Sequence, residues 1–156
     1  MIGADEYDVF TAICRQTDLF LFNSPGVVFL DETRPDIMTS RISPNELTAE
    51  RLSGQFKYRC IKHREILDDF NNKNAKRWPL APQFECPGGY ALVSEGNTND
   101  QQARPFALAR VGFSADRSLA LAYVEYVAAC AYYLLFERSS ESGDWARADC
   151  CMAWVT

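Results

Sequence analysis

The sequence predicts an α+β fold in which N-terminal helices pack on a curved antiparallel sheet ending in a four-strand meander, a cystatin-like arrangement. Three observations carry this. From Pro105 to Thr156 four strand-like runs, RPFALARVGFS, SLALAYVEYVAA, AYYLLFER and DWARADCCMAWVT, are separated by polar or turn-like breaks. Before Asn74, apolar residues recur at helical spacing. With 156 residues, 47% of them hydrophobic and 13% aromatic, the chain can bury its own core as one domain over residues 1–156.

Ala4 to Gln16 reads as a short helix: Tyr7, Phe10, Ala12, Ile13 and Cys14 form an imperfect apolar stripe, and Asp5, Glu6 and Asp8 complement the N-terminal end of the helix dipole. Leu19 to Phe22 stops at the turn signal Asn23-Ser24-Pro25-Gly26, and Val27 to Leu30 reads as a buried strand. Ser43-Pro44-Asn45-Glu46 is the best helix start in the chain, with Ser43 as cap, Glu46 completing a capping box, Leu47 and Leu52 facing the core, and Gly54 ending the helix. In Gln55 to Cys60 the alternation of Phe56, Tyr58 and Cys60 with Lys57 and Arg59 favours a strand, a continued helix being the alternative. Ile66, Leu67 and Phe70 share a helical face ended by the Asn71–Asn74 cluster.

Trp78 to Pro82 is a loop whose apolar groups need cover, Cys86-Pro87-Gly88-Gly89 a turn, and Tyr90 to Ser94 a strand. The polar stretch from Glu95 to Arg104 is a surface loop. Phe106 to Phe113 meets Ser118 to Ala128 through a four-residue hairpin loop, Ala131 to Glu137 returns, and Trp145 to Val155 closes the meander. The second and third of these strands are apolar on both faces, so both need cover: the N-terminal helices can supply one, and a folded-over segment, a ligand or a partner the other.

A net charge of −5 and a pI near 4.9 argue against nucleic acid, whose affinity rests on basic contacts, and against anionic membrane surfaces. No apolar run approaches the roughly 20 residues that span a bilayer. The acidic start shows no leader, which fits either a cytoplasmic protein or a periplasmic or extracellular one whose leader has been removed. The even count of six cysteines favours the second reading.

Candidate chemistry is sparse. His63 is the only histidine; with Cys60, and with Cys86 as a third donor, it could make a partial metal set, although a solvated histidine beside Lys62, Arg64 and Glu65 fits the pattern better. Any thiol could meet His63 as a nucleophile pair, but no local signature marks one. No phosphate loop, nucleophile elbow or other cofactor motif is present, so no cofactor is expected. Disulfides are expected between Cys130 and either Cys150 or Cys151, Cys150 being the leading partner, and between Cys60 and Cys86; free buried thiols are the alternative. Glu125, on an otherwise apolar strand, either pairs with an arginine (Arg110 or Arg104) or faces a pocket with a raised pKa and serves as an acid or base. Tyr123, Glu125, Tyr126 and Tyr133 are the candidate ligand-binding residues.

The motifs EYDVFTA, VVFLDET, ILDDFNNKN, YALVSE, ARVGFSADRSLALAYVEY and YYLLFER, followed by a terminal Trp and an aliphatic ending, occur in that order. The pattern resembles an uncharacterised family of bacterial exported or envelope proteins over Glu6 to Thr156. The resemblance implies an envelope location and brings no activity, cofactor or catalytic residue. The chain departs from it between Val127 and Tyr132, where similar proteins carry a longer Gly- and Cys-containing loop.

The expected function is a non-enzymatic binding protein of the bacterial cell envelope, its partner a protein or a small apolar ligand. A hydrolase-like enzyme using Glu125, or a small acidic inhibitor or immunity-type protein, are the alternatives.

Overall fold

The computed structural model describes residues 1–34, 47–97 and 104–155. Among them the chain forms α1 (Ala4–Cys14), β1 (Val28–Leu30), α2 (Gly54–Lys62), α3 (Glu65–Lys73), β2 (Ala91–Val93), β3 (Phe106–Leu108), β4 (Gly112–Phe113), β5 (Leu119–Tyr126), β6 (Cys130–Arg138) and β7 (Trp145–Val155). The fold is α+β, with N-terminal helices and a C-terminal antiparallel meander, and the described sheet is open rather than a closed barrel.

The strand order is β2-β1-β3-β5-β6-β7, and β4 also pairs with β5. β1 runs parallel to both β2 and β3, so the sheet is mixed rather than antiparallel throughout. Each of those strands has three residues, too few for side-chain alternation to report direction. The rest follows the predicted meander, with β3 and β4 against β5, β5 against β6, and β6 against β7.

The two-sided burial of β5 and β6 is met by helices on both faces. One face carries Ala120, Ala122, Val124, Leu134 and Phe136, packed with Phe10 and Ile13 of α1 and with Phe22 and Phe29. The other carries Leu121, Tyr123, Tyr133 and Leu135, packed with Phe56 and Cys60 of α2 and with Ile66 and Phe70 of α3. Small alanines on the α1 face of β5 leave room for the aromatic cluster that α1 brings.

Two local expectations are corrected. Gln55 to Cys60 lies within a helix, where Phe56 and Cys60, one turn apart, are fully buried and Tyr58 is exposed. Gly54 opens that helix rather than ending an earlier one. Its φ of +56° is cheap only for glycine, and it follows the 3₁₀ turn Ala49–Arg51. The predicted helix start at residues 43–46 lies outside the described residues.

α3 ends on Asn74, whose side chain does two jobs. Its amide donates to Phe70 O (2.8 Å) and Arg110 O (2.9 Å), and its carbonyl oxygen accepts from the Arg110 N–H (2.8 Å). The helix end is thereby stitched to the stretch between β3 and β4. β4 then passes so close to α3 that a Cβ on Gly112 would lie 2.6 Å from Ile66 O and 2.7 Å from Phe70 Cβ.

The β4–β5 hairpin forms where expected, but its loop runs from Ser114 to Ser118, one residue longer than the expected Ser114–Arg117, and it is organised by Asp116. One of its oxygens accepts from Ser114 Oγ (2.8 Å), Ser118 N (3.0 Å) and Ser118 Oγ (2.7 Å), which holds the carboxyl at a pKa of about 2. The folded value lies below the unfolded one, so the stabilisation is present above the usual carboxylate range and is lost as pH falls through about 2. A carboxyl-carbon NMR titration should therefore show the Asp116 midpoint near 2, and Ser118→Ala should move it upward.

Candidate functional site

Glu125 is completely buried on β5, opposite Ala107 of β3. Its expected partners were Arg110 or Arg104; the observed partner is Arg34, whose guanidinium bonds to Glu125 Oε2. The Tyr123 hydroxyl donates to Oε1 (3.1 Å). The position of Arg34 follows from β1. Beyond that strand, Asp31 N–H donates to Val93 O (2.9 Å), Thr33 N–H to Trp78 O (2.9 Å) and Arg34 N–H to Leu108 O (2.9 Å), which sets its side chain over the sheet. Arg34 Nη1 also reaches Glu95 Oε1 (2.8 Å), and Arg77 Nη1 reaches Glu95 Oε2 (2.6 Å). Flanked by these two guanidiniums, first of all Arg77, Glu95 has its pKa lowered.

The charges thus alternate from the buried Glu125 through Arg34 and Glu95 to the exposed Arg77. This accounts for a carboxylate inside the sheet by pairing and hydrogen bonding. The Tyr133 ring lies tilted against Tyr123, their centres 5.2 Å apart, and both are fully buried. Of the four candidate ligand residues, Tyr123, Glu125 and Tyr133 therefore belong to the packing on the α2–α3 side, and Tyr126 alone is half-exposed.

Arg110 has a different partner. Its Nε and Nη2 donate to Glu6 Oε1 (3.2 Å) and Oε2 (2.7 Å), and its guanidinium lies 4.9 Å from the Trp78 ring centre. Glu6 also accepts from the N–H of Gly3 (3.0 Å) and of Val111 (3.1 Å), so one carboxylate caps α1 and ties it to the sheet.

The metal candidates are not brought together. Cys60 points into the α2–α3 core, where burial raises its thiol pKa to about 12. His63 caps the exposed end of α2 with Nδ1 3.7 Å from Glu65, and Cys86 lies across the sheet in the α1-side core. No group of three candidate donors occurs among the described residues.

Neither expected disulfide is present. Cys60 and Cys86 are on opposite faces of the sheet. Cys130 is opposite Val155 while Cys150 is opposite Leu134, a separation of four residues along β6, or about 13 Å. Cys151 is opposite Tyr133 and buried, whereas Cys150 is exposed, so adjacent positions do face opposite ways.

Tyr126 leads to a cleft that the sequence had not outlined. Residues 19–27 fold over the end of β3 and β5, and Leu19, Phe20, Val27, Phe106 and Tyr126 line a space of about 380 Å³ with Arg104 at its side. Phe20 meets Phe106 (5.0 Å), Tyr126 (6.0 Å) and Tyr132 (5.7 Å), and Phe106 stacks on Tyr126 (4.9 Å). The Arg104 guanidinium lies 5.4 Å from the Tyr126 ring centre, and Leu21 at the rim is 71% exposed. An apolar floor beside one cation suits a ligand with a hydrocarbon or aromatic body and an anionic head.

Comparison with protein-family models, curated proteins and solved structures found no match.

Proposed function

We propose that the chain is a binding protein of the bacterial cell envelope that takes a small apolar carboxylate in the cleft between residues 19–27 and the Phe106–Tyr126 wall. The observation that carries the reading is Arg104 placed against Tyr126 at the side of an aromatic floor. The cleft lies within the size range of small-ligand sites, and its large rings offer contact area at little cost in side-chain entropy. Full engagement of Glu125 by Arg34 and Tyr123 supports binding over the acid–base alternative, since the carboxylate serves the interior of the fold. The envelope location rests on the resemblance of the sequence motifs.

Calorimetric titration with octanoate, and with octylamine as the charge-reversed control, tests this reading. Octanoate should bind and octylamine should not, and Arg104→Gln should weaken octanoate about tenfold, the equivalent of one charge-assisted hydrogen bond. Equal binding of both probes, or octanoate affinity indifferent to Arg104→Gln and Tyr126→Ala, would overturn it.

A further inference from the structure

The cleft beneath residues 19–27 does not end at Tyr126. In an antiparallel sheet, residues directly opposite each other share a face. Phe106 and Tyr126, which line the cleft, are such a pair, and the row runs on from Tyr126 to Cys130 of β6 and from Cys130 to Val155 of β7. A second row beside it runs through Leu108, Val124, Tyr132 and Met152. The Phe20 ring meets Tyr126 (6.0 Å) in the first row and Tyr132 (5.7 Å) in the second, so it joins the cleft to both.

Burial falls along these rows in one direction. Phe106 and Leu108 are buried, Tyr126, Cys130 and Tyr132 are half-buried, and Met152 and Val155 are 50% and 65% exposed. The other face of β7 is packed: Cys151 is buried, and Ala153 and Trp154 lie against the α2–α3 core. An antiparallel strand with one packed face ordinarily turns polar side chains to water on the other. Arg147, paired with Asp18, follows that rule; Cys150, Met152 and Val155 on the same face break it.

The outcome is an apolar strip with a cation at one end. Arg104 stands at the cleft end, 5.4 Å from the Tyr126 ring centre. Tyr126, Cys130, Tyr132, Met152 and Val155, which form the strip, include no charged side chain. Asp149 of β7 is opposite Leu135 of the α2–α3 core and belongs to the other face. From β3 to β7 the strip crosses three strand spacings, roughly 14 Å. At ordinary carbon–carbon bond lengths an extended chain of about twelve carbons covers that distance. A peptide laid here would bring backbone donors and acceptors that apolar side chains do not pair, whereas an unbranched acyl chain brings none.

We infer that the molecule bound is a fatty acid of about twelve to fourteen carbons, its carboxylate at Arg104 and its tail laid over Cys130, Tyr132, Met152 and Val155. The inference rests on the binding reading above and narrows it from apolar carboxylates in general to a chain-length class.

Calorimetric titration of the full chain with octanoate, decanoate and dodecanoate, each below its critical micelle concentration, tests it. Octanoate affinity reports on the cleft alone, and the gain with chain length reports on the strip. Each added methylene should tighten binding about twofold, half the effect of complete burial, so dodecanoate should bind about 15-fold tighter than octanoate. Met152→Gln/Val155→Asn, at two exposed positions, should leave octanoate affinity as it is and cut the dodecanoate advantage to about threefold or less. With methyl-labelled methionine, dodecanoate but not octanoate should shift the Met152 methyl resonance. Octanoate binding with no gain from chain length overturns the inference and leaves the cleft reading standing, and so does a gain that the double variant does not diminish. A wild-type dimer that the double variant dissolves and dodecanoate does not assigns the strip to a second copy of the chain and overturns it as well. Failure of all three chain lengths to bind overturns both readings.

Discussion

Arg34→Met should lower the unfolding free energy by about 3–5 kcal/mol, the usual consequence of leaving a buried charge without its partner. Glu125 has no exposed surface, and Arg34 bonds directly to its Oε2. Removing the cation leaves a carboxylate inside a sheet with the Tyr123 hydroxyl still attached but its countercharge gone. Urea titration of the single variants and of Arg34→Met/Glu125→Met measures this. The double variant, which removes both charges, should recover most of the loss, because desolvation and pairing nearly cancel when the pair goes as a unit. Similar stability for Arg34→Met and wild type would show that the pair is not what keeps Glu125 charged in the interior.

Glu6→Ala should cost a comparable amount, about 3–5 kcal/mol, by a different route. Its carboxylate joins two buried oxygens to the Arg110 guanidinium, to the first residues of α1 and to Val111. Truncation strips a countercharge and a helix cap together and leaves the Arg110 head with Met1 O and the Trp78 face. Hydrogen exchange should speed first at the start of α1 and at residues 110–111, where those bonds end, and thermal melting checks the total. Glu6→Gln, which keeps an acceptor oxygen, should fall between the wild type and the alanine variant.

Much of the fold was legible because burial leaves its period in the chain. Trp145 to Val155 reads as a strand over its observed span, and the two-sided apolar pattern of β5 and β6 predicted cover on both faces. Gln55 to Cys60 misled because Phe56 and Cys60 satisfy a two-residue period and a one-turn spacing equally; only the exposure of Tyr58 separates the two. The parallel pairing of β1 was not legible, since three residues carry no direction and their partners come from remote segments.

The site shows the same division. A glutamate on an apolar strand signals a countercharge, and one is present, but its identity is a tertiary fact: Arg34 lies 91 residues away. Arg110 looked closer along the chain and is already engaged by Glu6. The aromatic cleft left no such signal, because it depends on a loop, residues 19–27, whose short apolar runs look like ordinary core.

The outermost strand of the meander carries a consequence for self-association. β7 matches the nine residues of β6 with eleven of its own, because Ala148 and Ala153 each fall between paired positions. Two such insertions add local twist and break the outward row of backbone donors and acceptors into short stretches. Between them, only Asp149 to Met152 runs in unbroken register. A second strand laid along this edge could zip over one short stretch before its register failed, and Arg147 and Asp149 add charge beside it. An exposed edge of this length would otherwise invite chain-to-chain sheet growth; spacing it with two alanines keeps a long final strand in the fold without offering a template for fibres.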